Sequence, residues 1–175
     1  VEDVLATTWL LSSDSHIVEP PDLWAGGGTE LGDRMPHVRS EADGEWWYVD
    51  GRKTMSFLGT QVGDRFEKDA AELATSATFE QVRPAAYDPA RYIEENEEDG
   101  IWGSVIYPSQ GLVLFGVPVT DVVDAAFRGY NDWLADFCSE DTARLKGLAM
   151  LDLDDVDAAV AELERSRGMG LCGAL

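Results

Sequence analysis

From Asp88 onward the chain alternates short apolar runs with amphipathic stretches of helical period. Asp88-Pro89 is an N-cap followed by proline at the first helical position, and the acidic helix "ARYIEENEED" is expected to stop at Gly100. An apolar run, "WGSVIYPS", ends at Tyr107-Pro108, and after a Gly- and Pro-punctuated loop Thr120 can cap a long helix. There Val123, Phe127, Tyr130, Leu134 and Phe137 recur at spacings of three and four, which makes one apolar stripe. "LKGLAMLDL" reads as the next buried strand. Asp154 or Asp155 then opens "DDVDAAVAELERSRG", with Val156, Ala159, Val160 and Leu163 as the expected buried face and Gly168 as its end, before "LCGAL" resumes the strand pattern. The order β-α-β-α-β predicts right-handed crossovers and a parallel sheet covered on both faces, an α/β fold whose functional residues sit at the C-terminal ends of strands.

The segment between Pro20 and Tyr87 breaks this rhythm and is too long for an ordinary βα loop. Within it "EWWYVDGRKTM" alternates around Asp50-Gly51, a dipeptide suited to a type I′ turn, so a β-hairpin carrying Trp46, Trp47 and Tyr48 is expected. "RFEKDAAELATSATFEQVRP" reads as part helix and part loop.

Composition narrows the partners. The 175 residues, 45% of them hydrophobic, suffice for one domain with a real core. Thirteen Lys and Arg against 34 Asp and Glu give a formal charge of -21, which would repel nucleic acid or an anionic lipid surface and favours a small-molecule or protein partner. No basic leader, no bilayer-length apolar run and no CxxC spacing accompany Cys138 and Cys172, so the chain reads as cytoplasmic with free thiols. Val1 at the start and "GLCGAL" at the end read as a chain cut at both ends.

"TWLLSSDSH" reads as a strand, and Asp14 and His16, two residues apart at its end, fall on one face. A carboxylate beside an imidazole at a strand end is half of a divalent metal site. The spacing alone better describes an acid capping the following turn beside a hydrogen-bonded histidine.

"SSDSHIVEPPDLW", "DPARYIEENEEDGIWGSVIYPS" and the run from "YNDWLADF" to "LCGAL" together resemble the N-terminal half of the decarboxylase-like branch of the amidohydrolase superfamily. That resemblance implies the N-terminal half of a (β/α)8 TIM-type barrel, with a long insertion of about residues 20–87 carrying the hairpin after the first strand. It implies that Asp14 and His16, matching an acid-x-His pattern, ligate one divalent metal, zinc or manganese. The other ligands and the catalytic residues would lie beyond residue 175. A barrel of this type typically takes about 250 residues, which agrees with half a barrel here. The implied activity is hydrolysis or non-oxidative decarboxylation of a small carboxylate-bearing substrate, with residues 1–175 inactive alone.

Other residues carry two readings each. Tyr107 and Ser109 could line a substrate pocket, or Tyr107-Pro108 could simply turn the chain. Arg34, Arg39 and Arg52 could pair with a substrate carboxylate through a guanidinium, Arg34 foremost, or form surface ion pairs. His37 could touch substrate or belong to a loop. Trp46 and Trp47 could close the site, pack on the barrel or join a subunit interface, and a homo-oligomer is expected. Asn131 is read as packing and capping, and Asp152 as helix-start chemistry. The competing functional class is a metal-free binding or assembly module that uses the aromatic hairpin as its contact surface.

Overall fold

The computed structural model describes residues 9–25, 30–59, 69, 76–118 and 120–175. Strand β1 (Leu10–His16) is followed by β2 (His37–Glu41), β3 (Gly44–Val49) and β4 (Arg52–Ser56). Then come helix α1 (Pro89–Glu98), β5 (Ile101–Tyr107), α2 (Thr120–Ser139), β6 (Leu145–Ala149), α3 (Val156–Gly168) and β7 (Gly173–Ala174). Strands β1, β5, β6 and β7 form one parallel sheet in that order, and β2, β3 and β4 form a separate antiparallel sheet. The protein is therefore an α/β fold built on successive parallel crossovers, and all four parallel strands present their C-terminal ends on one edge. Among the described residues no helix is long and apolar enough to cross a membrane. Cys138 is buried, Cys172 is exposed, and both are free thiols.

The helices start where their caps dictate. Asp88 accepts the N–H groups of Ala90 and Arg91 at 3.0 and 3.2 Å, Pro89 occupies the first turn, and Gly100 turns the chain away at φ 73°. Asp155, of the two candidate caps, accepts from Ala158 at 3.0 Å. The side chain of Thr120, the expected cap of α2, lies outside the described residues, as do most of 60–75. On α2 the expected stripe of Val123, Phe127, Tyr130, Leu134 and Phe137 is buried throughout.

Three expectations change. Of the apolar face assigned to α3 only Ala159 is buried, while Val156, Val160 and Leu163 are 64%, 50% and 42% exposed, because periodicity marks the face a helix can bury without supplying the element that covers it. The strand expected over 145–153 ends at Ala149, since the backbone of Met150 is captured by the Asn131 side chain. Gly168 remains helical, and Gly170, at φ 102°, makes the stop.

The sheet β2-β3-β4 fills the interval after β1. Asp50 and Gly51, at φ 49° and 74°, make the expected I′ turn between β3 and β4. Strand β2 was not legible, because "HVRSE" has no apolar alternation, and its pairing to β3 places His37 opposite Tyr48 in a strand rather than in a loop. Trp47 is buried against Trp24 and Phe57, with ring centroids 5.2 and 5.9 Å away, and Trp24 donates its indole N–H to the Ala126 carbonyl of α2 at 2.8 Å. These contacts fasten the second sheet to α2.

Candidate metal and substrate site

His16 closes β1 opposite Tyr107, the last residue of β5. Its Nδ1 lies 2.7 Å from the Pro108 carbonyl, an acceptor only, so Nδ1 carries a proton and, in the neutral imidazole, Nε2 holds the lone pair. Nε2 stands 3.4 Å from Asp14 Oδ1. The two side chains are 43% and 79% exposed, so both open toward the strand-end surface. Asp14 sits where the β1–β5 register shifts, between Ser12 and Ser15, and such a bulge re-aims the side chains it carries.

The donor set suits a small divalent ion. Two atoms each about 2.0–2.2 Å from a tetrahedral metal lie about 3.4 Å apart, the separation of His16 Nε2 and Asp14 Oδ1. A His held through Nδ1 by a carbonyl is the usual outer support of a metal-binding imidazole. Among the described residues no group of three or more His, Cys, Asp or Glu side chains is disposed to hold an ion, so these two stand as a pair.

Around them the C-terminal strand ends assemble further groups. The Tyr107 ring lies 5.7 Å from that of His16, and the backbone N–H of Ser109 donates to Glu19. Glu19, fully buried, also accepts from Gln110 and Gly111. Burial pushes its carboxyl up, and the peptide N–H groups of Gly111, Gln110 and Ser109 oppose that rise. The sequence marked Glu19 only as part of a family-like run, since nothing in "HIVEPP" says that the acid turns inward. Gln110 is also buried, and among the described residues neither of its amide atoms has a hydrogen-bond partner. A recess lined by Leu114, Phe115, Phe127 and Leu151 together with Asp152 and Asp154 lies among the segments that follow β5, β6 and β7.

Arg34 donates through Nε to Asp50 at 2.8 Å and through its two terminal nitrogens to Asp121 at 2.8 and 3.1 Å, which ties the hairpin to the start of α2. Hydrogen bonds to Asp121 and Asp50 keep its guanidinium firmly protonated. Arg39 stacks 4.5 Å over Tyr48 and donates to His37, whose Nδ1 lies 2.8 Å from the Met35 carbonyl. Trp46 donates to Asp43 at 3.1 Å and carries the Lys53 ammonium over its ring. Asp152 accepts from Asp154 N–H in the turn before α3 and also lines the recess at the strand ends.

A parallel α/β half-barrel with an acid and an imidazole paired at the mouth of its first strand is the class of protein that fold and site define together. Solved structures with this fold include an amidohydrolase from Mycobacterium avium subsp. paratuberculosis K-10, at TM-score 0.72 and 16% identity over 94% of this chain and 48% of that one. They also include 2,6-dihydroxybenzoate decarboxylase from Rhizobium, at TM-score 0.52 and 16% identity over 96% and 38%. A third is IDCase from Metarhizium anisopliae, at TM-score 0.55 and 16% identity over 93% and 40%. This chain thus spans less than half the length of each of these proteins, while nearly all of it shares their fold. No family model and no curated protein sequence matches it.

Proposed function

We propose that these residues are the metal-binding first half of an amidohydrolase-type barrel enzyme, a hydrolase or non-oxidative decarboxylase acting on a small carboxylate-bearing aromatic or unsaturated acid. The observation that carries this reading is the pair of solvent-facing donor atoms, His16 Nε2 and Asp14 Oδ1, 3.4 Å apart at the end of β1. Asp14 and His16 would hold one divalent ion, zinc or manganese, with further donors supplied by strands beyond residue 175. When bound, such an ion supplies a Lewis acid and a positive charge for a carboxylate or a water molecule. Pro108 keeps the proton on Nδ1, so that Nε2 stays a ligand. Tyr107, beside His16, and the Ser109 segment would form one wall, and the Leu114, Phe115 and Phe127 side of the recess suits the unsaturated body of the substrate. In a protein of charge -21, an acidic substrate needs such a local cation. The assembly-module alternative draws less support, since Trp47 is spent in the core and Trp46 under Lys53.

Metal analysis and turnover of the full-length protein test this. We expect about one equivalent of zinc or manganese per chain after dialysis, lost in His16→Asn and reduced in Asp14→Ala. Release of CO2 or hydrolysis is expected with hydroxybenzoates or related acids, the former being the substrate class in the name of one structural neighbour. A metal-free protein, or activity confined to phosphoesters, would overturn the reading.

A further inference from the structure

A carboxylate without exposed surface is costly unless its oxygens are hydrogen-bonded. Glu19 meets that need with three consecutive peptide N–H groups: Ser109 and Gly111 donate to Oε1 at 3.1 and 2.9 Å, and Gln110 donates to Oε2 at 2.8 Å. The first of these N–H groups belongs to the same peptide unit whose carbonyl, that of Pro108, accepts the His16 Nδ1 proton at 2.7 Å. One planar amide therefore lies between a buried carboxylate and a strand-end imidazole. A negative charge on its N–H side polarises the amide, makes the carbonyl a stronger acceptor, fixes the imidazole tautomer and raises the electron density on Nε2. The turn is built to sit this close: a Cβ on Gly111 would come within 2.8 Å of Met150 Sδ, 3.0 Å of Pro108 Cβ and 3.1 Å of Glu19 Oε1.

We propose that Glu19 is a positioning residue for His16, acting through the Pro108–Ser109 peptide to set the imidazole's tautomer and its strength as a ligand. This rests on the metal-site reading above. Two readouts on the full-length protein test it: zinc affinity by competition with a chelator, and the 15N shifts of the His16 ring in metal-free protein, assigned by their loss in His16→Asn. Glu19→Gln places an amide NH2 against at least one peptide N–H. It should weaken zinc binding by about 10–100-fold and move the His16 signals from a pure Nδ1–H form toward a mixture of tautomers. Glu19→Asp, which keeps the charge but shortens its reach, should fall between. A folded Glu19→Gln protein with unchanged affinity and unchanged ring shifts overturns the proposal, as does a loss of thermal stability alone. Should Glu19→Gln not fold, Gly111→Ala, which keeps the carboxylate and crowds the turn off it, carries the same comparison. If the parent protein binds no zinc, the functional reading fails while the ring shifts still decide the role of Glu19.

Discussion

Asn131 is fully buried on α2, where its amide treats Met150 as a strand partner would. Oδ1 accepts the Met150 N–H at 2.8 Å, and Nδ2 donates to the Met150 carbonyl at 3.0 Å and to Glu162 at 2.8 Å. Replacing it with alanine strands two buried backbone groups, so Asn131→Ala should cost about 2–4 kcal/mol in a denaturant titration. Arg91→Ala, which removes only an exposed pair with Glu94, should stay within about 0.5 kcal/mol. The sequence allowed Asn131 a packing and capping role because a short amide amid apolar helix positions needs a partner, but it could not name Met150. Glu19 is the harder case: composition places glutamate outside, and its three partners lie some 90 residues further along the chain. Asp14 and His16 were legible as a pair because a strand end fixes i and i+2 together, whereas the bulge that re-aims Asp14 arises from pairing with β5.

Helices α2 and α3 are joined by a charged cluster. Glu162 takes Arg165 through both oxygens at 2.6 and 2.7 Å, and Arg128 at 3.0 Å, while Arg165 reaches Asp132 on α2. Burial pushes the Glu162 carboxyl up, but the hydrogen bonds from Arg165 and Asn131, with the charges of Arg165 and Arg128, outweigh it and hold the group below its ordinary range. A depressed folded-state pKa means that the stabilisation is present in full above the unfolded value, 4.5, and disappears as pH falls through the lower folded value. Asp124 works in the opposite sense, raised by burial and by Asp152, Asp155 and Asp154, so its repulsion eases on acidification. We expect the protection factors of α3 amides, measured against intrinsic exchange at each pH, to fall below about pH 4.5, and Glu162→Gln to abolish that step; an unchanged profile in the variant would assign it to another group. The elements themselves were legible wherever a cap or a stripe is local: Asp88-Pro89, Gly100, and the run from Val123 to Phe137. The burial of α3 was not, because Val156, Val160 and Leu163 need a partner element to become core.

Among the described residues, the parallel sheet has no strand paired outside β1 or β7. Trp9, Leu10 and Leu11 are 69%, 51% and 66% exposed at the β1 margin, and Val156, Val160 and Leu163 are exposed on α3. Each Å2 of such apolar surface costs roughly 25 cal/mol in water. The 175-residue chain alone should therefore self-associate, more at high salt than at low, since its charge of -21 opposes contact until screened. Sedimentation velocity at two salt concentrations reads this, and Val160→Lys should reduce the association; a compact monomer at both salts would show that these margins need no partner. The pairing of β1 with β5 also has a temporal side. Leu10 aligns with Ile101, so the first strand must wait for about 90 further residues before its neighbour exists. At a synthesis rate of about 5–20 residues per second, that delay is roughly 5–20 s. The β2-β3-β4 meander can close on itself within that interval, whereas the donor pair at the end of β1 acquires its carbonyl and its wall only when the ribosome has passed Pro108.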